Sequence, residues 1–307
     1  MHTGTIEGKT KTILVTGGTG LVGRAVVDEL LAAGSKVRCL VRNPGRAPAI
    51  LAGEVEYVRG DVTDYESLRR AATGVSAVVH LVAVIREKPD QTFQQVNVEG
   101  TANTVRAAVG GGARRFIHVS AMGVKEGPAY RYAHSKWLGE EAVRQSGLDW
   151  TIIRPSLIYG PSFGFFDRMA QSIRTSPPPF VAYPASKARF QPIAVLDVAR
   201  CVATALGDPR TIHQTYDIGG PEHFTYAEML DVYLDVKRIR RIKLPLPVGF
   251  LRLVVPLMER IMRDPPVTSV ELKQMEVNNT TELNAVYKHF GFRPQTLREG
   301  LRSGRAF

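Results

Sequence analysis

The fold is decided by a glycine-rich stretch near the start of the chain, Thr12-Ile13-Leu14-Val15-Thr16-Gly17-Gly18-Thr19-Gly20-Leu21-Val22-Gly23. An apolar run passes directly into closely spaced glycines, and an amphipathic stretch follows them. This order predicts a strand, a tight turn and the start of a helix. Glycines let the backbone approach an anion closely, and the N–H groups and dipole at a helix start attract negative charge. Thr16–Gly23 is therefore a candidate pyrophosphate-binding turn of a dinucleotide site, with an unliganded turn as the alternative.

Short apolar runs alternate with helical stretches through the first half of the chain. The predicted strands are Thr12–Thr16, Lys36–Val41, Val55–Val58, Ala77–Val82, Arg115–Val119 and Trp150–Ile153. The predicted helices are Leu21–Ala33, Tyr65–Ala72, Thr92–Val109 and Tyr132–Gln145. Continuous apolar strands separated by helices are typical of a parallel sheet covered on both faces, so we predict a doubly wound α/β (Rossmann) fold.

The pattern divides the chain into three kinds of segment. Residues 1–10 are a flexible tail, and residues 11–160 form the dinucleotide-binding domain, to which strands at Gln191–Ala194 and Gln214–Ile218 return within 190–220. Residues 161–189 and 221–307 form a small, mainly helical lobe for a substrate or partner. Thr225 and Glu228 have the spacing of a capping box, which predicts a helix over Thr225–Val236.

Composition excludes several classes of protein. The 307 residues include only two cysteines, and no apolar run is long enough to span a membrane, so a disulfide scaffold and a spanning protein are excluded. No signal peptide is visible at the start, and we expect a cytoplasmic protein. The histidines lack metal-ligand spacing, so we predict no catalytic metal.

The net charge is +11, and eight of these charges fall in residues 237–307. The basic residues do not alternate with aromatic ones as in a nucleic-acid platform, so we predict no nucleic-acid partner. Within this basic segment, the apolar stretch Val248–Met262 follows a cluster of cations. It is either an interfacial contact with an anionic membrane or a lid helix over the substrate pocket, and we favour the lid.

The position about 20 residues after the glycines distinguishes the two nicotinamide cofactors. Arg42 ends the second predicted strand, Arg46 follows, and no carboxylate comes before Glu54. An acid there would accept a hydrogen bond from the ribose of NAD, whereas arginine suits the 2′-phosphate of NADP. The sequence favours NADP(H) over NAD(H), with a solvated arginine as the alternative. Asp61 follows the third strand, where it either reaches the adenine amino group or serves only as a turn residue.

A tyrosine precedes a lysine by four residues at three places, Tyr132–Lys136, Tyr183–Lys187 and Tyr233–Lys237. This spacing puts both side chains on one helical face. Only Tyr132 follows closely on a predicted strand that runs into a serine, Ser120, which can hydrogen-bond a reacting carbonyl oxygen. A nearby ammonium and a cationic nicotinamide would favour the tyrosinate and so make Tyr132 a usable acid and base. We predict Ser120, Tyr132 and Lys136 as the catalytic set.

Together these residues resemble the short-chain dehydrogenase/reductase superfamily in its extended or atypical branch. The resemblance covers about residues 11–300 and rests on Thr16–Gly23, Gly60-Asp61-Val62, Asn97–Thr101, Val119-Ser120-Ala121, Tyr132–Lys136, Arg154-Pro155-Ser156 and Gly219–Glu222. It implies that Lys136 holds the cofactor ribose and lowers the pKa of Tyr132, and that Asn97 orders the proton-relay region. It also implies cofactor contacts at Val62, Leu81, Val82, Ala83 and Pro155. His80-Leu81-Val82-Ala83 stands where classical members have Asn-Ala-Gly.

Two stretches, Ser146–Ser156 and Pro266–Phe292, are similar to the group around the NADPH-binding peripheral subunit of respiratory NADH:quinone oxidoreductase. This resemblance implies bound NADP(H), in several members without turnover; bacterial proteins of similar pattern are epimerases, dehydratases or reductases. The intact Ser–Tyr–Lys set favours an NADP(H)-dependent oxidoreductase or epimerase/dehydratase with a small-molecule substrate. The alternative is a non-catalytic cofactor-holding subunit or assembly factor, peripheral to a respiratory membrane complex.

Overall fold

A computed structural model describes residues 11–160, 163–262 and 267–303. The predicted N-terminal tail, residues 1–10, lies outside the described residues. The strands in chain order are β1 Thr12–Thr16, β2 Lys36–Val41, β3 Val55–Arg59, β4 Ala77–His80, β5 Arg115–Val119, β6 Asp149–Pro155, β7 Ile158–Gly160, β8 Phe163–Gly164, β9 Phe180–Pro184, β10 Ile193–Ala194, β11 Gln214–Ile218 and β12 Ile242–Leu246. The α-helices are α1 Leu21–Ala32, α2 Tyr65–Ala72, α3 Gly100–Gly110, α4 Arg131–Arg144, α5 Phe165–Thr175, α6 Val195–Gly207, α7 Tyr226–Val236, α8 Val248–Ile261, α9 Ser269–Gln274, α10 Ala285–Phe290 and α11 Leu297–Arg302.

The main sheet has seven strands in the order β11-β6-β5-β4-β1-β2-β3. β1 pairs in parallel with β2 on one side and with β4 on the other, so the strand order reverses beside it. In a doubly wound sheet a ligand binds in the crevice at this reversal, beyond the carboxyl ends of the strands. The structure confirms the predicted Rossmann fold, and the glycine turn begins where β1 ends.

The central strands form because consecutive apolar residues can be buried on both faces of the sheet. Leu14 and Val15 of β1 are fully buried, and every residue of β4 is buried. The predicted bounds of β1, β2, β5 and β11 match the structure, and those of β3, β4 and β6 differ from prediction by one or two residues at an end.

The predicted helix Thr92–Val109 has two parts. Gln94–Glu99 is a π-helical turn, and α3 continues from it at Gly100. Such turns occur often at functional sites, because the wider turn redirects side chains. Asn97, one of the predicted site residues, lies within this turn.

The region 190–220 differs from the expectation in one respect. β11 joins the main sheet, whereas β10 pairs in parallel with β7 in a second sheet of order β10-β7-β8. The predicted return of Gln191–Ala194 to the main sheet is therefore wrong. An apolar run identifies a strand, but the choice of its neighbour depends on the surrounding packing.

Contacts divide the chain into two compact units. The described part of unit 1 comprises residues 11–120, 124–153 and 202–215, and its core cluster includes Leu14, Phe116 and Ile152. The described part of unit 2 comprises residues 121–123, 154–160, 163–201, 216–262 and 267–303, and its core cluster includes Tyr159, Phe166 and Leu230.

Unit 2 contains the C-terminal helices and a two-stranded parallel sheet of β9 and β12. The capping box at the start of α7 is confirmed, since Thr225 Oγ1 accepts from the Glu228 N–H and the Glu228 carboxylate accepts from the Thr225 N–H. In the described part of the chain, no helix combines the length and the apolar character needed to cross a membrane.

Candidate active site

The glycine turn is held by its own backbone. The Gly20 N–H donates to the Gly17 carbonyl oxygen at 3.0 Å, and Gly17 has φ of +81°, a conformation that side chains disfavour. A β-carbon on Gly23 would lie 2.7 Å from the Cα of Gly18 and would overlap the Gly17 carbonyl oxygen. The turn and the first helical turn therefore pack backbone against backbone, which requires glycine at these positions.

The start of α1 offers its backbone donors to a ligand. Gly20 is the N-cap residue, and within the described residues no side chain caps the helix and no acid lies in its first turn. Free N–H groups and the helix dipole together make an anion site. The arrangement fits a dinucleotide pyrophosphate, with Thr19, Leu21 and Val22 in the segment whose backbone would surround it.

The segment after β4 lies beside the glycine turn. The Leu81 N–H donates to the Thr16 carbonyl oxygen at 3.1 Å, and a β-carbon on Gly17 would lie 3.2 Å from the side chain of Val82. Thr16 Oγ1 also bonds to His80 Nδ1 at 2.7 Å. The structure thus brings Thr16, Gly17, Leu81 and Val82 together, and Ala83 follows them in the chain.

His80 has one consistent tautomer. Thr101 Oγ1 donates to the Asn97 carbonyl oxygen at 2.7 Å, so it accepts from His80 Nε2, 3.1 Å away. His80 Nδ1 then accepts from Thr16. Burial lowers the pKa of His80 to about 3, with a smaller contribution from Lys136, so the ring is neutral. His80 therefore links Thr16, at the end of β1 and the start of the glycine turn, to Thr101 of α3.

A shallow hollow of about 400 Å³ lies at the ends of β2 and β3 and is lined by Arg42, Arg59, Gly60, Asp61, Asp64 and Arg70. Arg42, Arg59 and Arg70 are exposed, and among the described residues none of them has an acidic partner. Sequence reasoning identified Arg42 and missed Arg59 and Arg70. Only folding brings α2 and the end of β3 beside Arg42.

Asp61 serves a local turn. Its Oδ1 accepts from the Thr63 N–H at 3.0 Å and from Thr63 Oγ1 at 2.9 Å. This is the turn role that the sequence left open, and contact with adenine stays a prediction. Val62 is buried, and its side chain packs where a β-carbon on Gly100 would lie.

Ser120 and Lys136 lie next to each other in the structure. Lys136 is buried, and its Nζ donates to the carbonyl oxygen of Val119 at 3.1 Å, directly before Ser120. The Ser120 N–H donates to the Ile153 carbonyl oxygen, but its Oγ is buried and has no partner among the described residues. A buried hydroxyl without a partner is costly unless it binds a ligand, so Ser120 Oγ is suited to a substrate oxygen.

Tyr132 lies in the first turn of α4 and is half-buried, with its ring edge-on to Phe93 at 5.8 Å. Burial raises the pKa of Tyr132 to about 12 and lowers the pKa of Lys136 to about 8, the latter partly offset by Glu140. The direction for Tyr132 is opposite to the one that the resemblance implies. Desolvation of Tyr132 causes this rise, and the Lys136 ammonium is directed to the Val119 carbonyl oxygen.

Asn97 joins three segments. Its Oδ1 accepts from the Val84 N–H at 2.8 Å, and its Nδ2 donates to the Val84 carbonyl oxygen and to Ser135 Oγ, each at 3.0 Å. Asn97 therefore fixes the segment after β4 against α4. Pro155 ends β6, where its carbonyl oxygen accepts from the Met122 N–H at 3.0 Å.

The buried face of α4 also carries charges that sequence reasoning did not select. Lys136, Glu140 and Arg144 are spaced by four residues, and Glu140 is fully buried with an ion pair of 2.6 Å to Arg144. In the sequence, charges of alternating sign at four-residue spacing are the signal that would have indicated this row of ion pairs along one helical face. Within the described ranges, no group of three His, Cys, Asp or Glu residues is placed to hold a metal ion.

The chain is similar to several known proteins. Subunit 9 of the mitochondrial NADH dehydrogenase (ubiquinone) 1 alpha subcomplex of Dictyostelium discoideum is 26% identical over 281 residues, which are 89% of this chain and 77% of that protein. Ceramide reductase of Caulobacter vibrioides is 37% identical over 164 residues, 52% of this chain and 51% of that protein. The chain thus spans between about half and three quarters of these relatives.

Among solved structures, the Citrobacter sp. triphenylmethane reductase complexed with NADP(H) has a TM-score of 0.75 at 20% identity, over 95% of this chain and 99% of that one. This likeness shows a shared fold. The family described as NAD(P)H-binding matches residues 17–209, which include the glycine turn, the Arg42 hollow and the Ser120–Lys136 region. The chain belongs to the NAD(P)H-binding family.

Proposed function

We propose that this protein is an NADP(H)-dependent oxidoreductase or epimerase/dehydratase that acts on a small carbonyl or hydroxyl substrate. The observation that carries the proposal is the buried, unpartnered Oγ of Ser120, one residue from the carbonyl that holds the Lys136 ammonium. A nicotinamide dinucleotide supplies hydride chemistry when it is bound. The chain supplies the donors that orient the substrate oxygen and the group that exchanges its proton.

In this proposal each residue has a distinct task. Ser120 Oγ donates to the substrate oxygen and stabilises negative charge that develops there. Tyr132 is protonated near neutral pH, because its pKa is raised to about 12, and it therefore begins the cycle as the proton donor. Lys136 is a positioning residue near Ser120, and its positive charge favours a tyrosinate as the proton leaves. This order of events favours substrate reduction as the starting direction.

The test of catalysis is the substitution Tyr132→Phe. It removes the proton and keeps the ring against Phe93, so we expect turnover of a reducible substrate to fall by about 100-fold or more, in line with general acid catalysis. Affinity for NADPH, measured by titration, should stay within about twofold. Unchanged turnover in this variant would contradict the assignment of Tyr132.

We infer a preference for NADP(H) from the arginines of the hollow. Three guanidinium groups without acidic partners suit a 2′-phosphate, and within the hollow the Asp61 carboxylate is already bonded to Thr63. Arg42→Glu should weaken NADPH binding by about tenfold or more and change NADH binding little. Lys36→Glu is the matched control, because Lys36 is an exposed cation at the opposite end of the same strand. Equal losses for both cofactors, or none, would contradict the preference.

A second candidate function is favoured by the relative from Dictyostelium discoideum, whose name is that of a respiratory complex subunit. In that case the protein holds NADP(H) without turnover, as a peripheral subunit or assembly factor of a membrane respiratory complex. Cofactor that copurifies, resists exchange and is never consumed across a panel of carbonyl and nucleotide-sugar substrates would favour this function. Steady consumption of NADPH with any one of them would favour the enzyme.

A further inference from the structure

Helix α8 presents its apolar side to solvent. Phe250, Leu253, Leu257 and Ile261 are spaced by three or four residues and are 53%, 78%, 57% and 75% exposed. At 3.6 residues per turn they share one face, and Val255, the only buried residue of the helix, lies on the opposite face. A surface helix normally turns its apolar stripe inward, so this face is built to be covered by something else. The favoured prediction of a lid packed through its apolar side is not what α8 shows.

The charged residues of α8 that lie toward its buried side are used within unit 2. Arg252 forms a bidentate ion pair with Glu276, and the Glu259 carboxylate accepts from the N–H and the hydroxyl of Ser269. These bonds hold α8 to the first residue of α9 and to the segment just beyond its end. They also leave the apolar face, hereafter the α8 stripe (Phe250, Leu253, Leu257 and Ile261), without a carboxylate.

Exposed cations lie on α8 and in the segment that leads into it. Arg260 lies beside the α8 stripe on the helix, and Arg238 and Arg240 precede β12, the strand that leads directly into α8. All three are exposed, and none has an acidic partner among the residues that the structure describes. An apolar helical face beside an exposed arginine, in a segment (residues 237–307) that carries a net charge of +8, is complementary to a lipid surface with anionic headgroups.

We propose that the α8 stripe lies in the interface of a membrane containing anionic lipid and attaches the protein to it peripherally. The helix has 14 residues, whereas a spanning helix needs about 20, so it lies on the bilayer. The proposal does not depend on whether the protein turns over a substrate.

A site-specific dye tests the insertion of the stripe. The two native cysteines, Cys39 and Cys201, are fully buried and burial raises their pKa values, so a thiol introduced by Leu253→Cys can be labelled selectively. An environment-sensitive dye there should shift to shorter wavelength with phosphatidylglycerol-containing vesicles but not with pure phosphatidylcholine. The matched control is Leu283→Cys, which is 50% exposed in the same unit, and its dye should not shift. Equal behaviour at both positions would overturn the proposal.

Flotation of the full chain with the same vesicles measures the binding itself. The double variant Leu253→Asp/Leu257→Asp should partition at least about tenfold less than the native protein, while Leu283→Asp floats normally. Arg260→Glu should reduce the preference for anionic over pure phosphatidylcholine vesicles. Retained NADPH binding by each variant shows that it is folded, and keeps this result separate from the proposed enzyme activity.

Three outcomes would overturn the membrane proposal. The native protein does not float with anionic vesicles, or the double aspartate variant floats as well as the native protein. In the third outcome the native protein does not bind vesicles and is a dimer in solution, and the double variant Leu253→Asp/Leu257→Asp is a monomer. That result would assign the α8 stripe to a second copy of the chain.

Discussion

Gly23 shows how a residue without a side chain determines a binding site. Its Cα faces the Gly17 carbonyl and the Gly18 backbone, with no room for a methyl group. Gly23→Ala should displace the glycine turn from the start of α1 and weaken NADPH binding by about tenfold or more, as judged by titration. Gly110→Ala is the control, since a β-carbon on this helical glycine would meet nothing within 4 Å. Loss of binding in the control alone, or in neither variant, would contradict this account.

Lys136 predicts a stability that depends on pH in the alkaline range. Burial lowers its pKa from 10.5 to about 8, so between these values the unfolded chain binds a proton that the folded chain does not. The free energy of unfolding therefore rises with pH across this window, and the penalty for the buried ammonium is complete only below about pH 8. Between pH 7 and pH 10.5, urea unfolding of the native protein should gain up to about 3 kcal/mol relative to Lys136→Met. A difference that does not change with pH would contradict a lowered pKa.

For Tyr132 and Asn97, the sequence predicted that the residues belong to the site but not their surroundings in the folded protein. Their presence was visible; the candidate role of Tyr132 followed from its spacing to Lys136 and from the preceding Ser120, and that of Asn97 followed from the resemblance. The raised pKa of Tyr132 and the bonds from Asn97 to Val84 and Ser135 were not visible. Each depends on how deeply folding buries the group and on partners from other segments.

Adjacent strands place two histidines side by side, and the two differ in whether their ring nitrogens have hydrogen-bond partners. His80 of β4 pairs in register with His118 of β5, and their rings stack at 5.4 Å. Both nitrogens of His80 are bonded, whereas neither nitrogen of His118 has a partner among the described residues. Burial lowers the pKa of both rings, so both are neutral.

Replacement of each histidine by leucine should therefore change stability in opposite directions. His80→Leu leaves Thr16 and Thr101 without a bond and should lower the free energy of unfolding by about 1–3 kcal/mol. His118→Leu removes two buried nitrogens that lack hydrogen-bond partners. The free energy of unfolding should therefore stay unchanged or rise by about 1 kcal/mol. Urea unfolding at neutral pH measures both. A large loss in His118→Leu would show that His118 has a partner in solution.

Secondary-structure elements were predicted well where their pattern is local. β1, β2 and α2 have their predicted bounds, because an apolar run or an amphipathic period is contained within the element itself. The π-helical turn at Gln94–Glu99 and the pairing of β10 with β7 were not predicted. A π-turn and a strand's neighbour are both selected by packing against distant segments.

The positions of the tryptophans allow the unfolding of one of the two units to be followed separately. Both tryptophans of the chain, Trp137 and Trp150, belong to unit 1, which also contains the glycine turn and the Arg42 hollow. Tryptophan fluorescence therefore follows the unfolding of the cofactor-binding unit. NADPH at about 100 times its dissociation constant should stabilise that unit by about 2.7 kcal/mol and raise its unfolding midpoint. At the same NADPH concentration, Gly23→Ala should reduce this stabilisation to about 1.4 kcal/mol or less, as a tenfold or larger loss of affinity requires. An NADPH-induced shift of equal size in that variant would contradict the location of the site.

By itself, the sequence determined the doubly wound sheet and the dinucleotide turn. Glycine freedom, apolar runs and helical periods act over a few neighbouring residues, so they can be read in order along the chain. The tertiary structure alone decided the direction of the Tyr132 pKa, the grouping of Arg59 and Arg70 with Arg42, and the exposure of the α8 stripe. These properties depend on burial and on partners that are far apart in the chain, and only folding sets which groups lose water and which remain exposed to it.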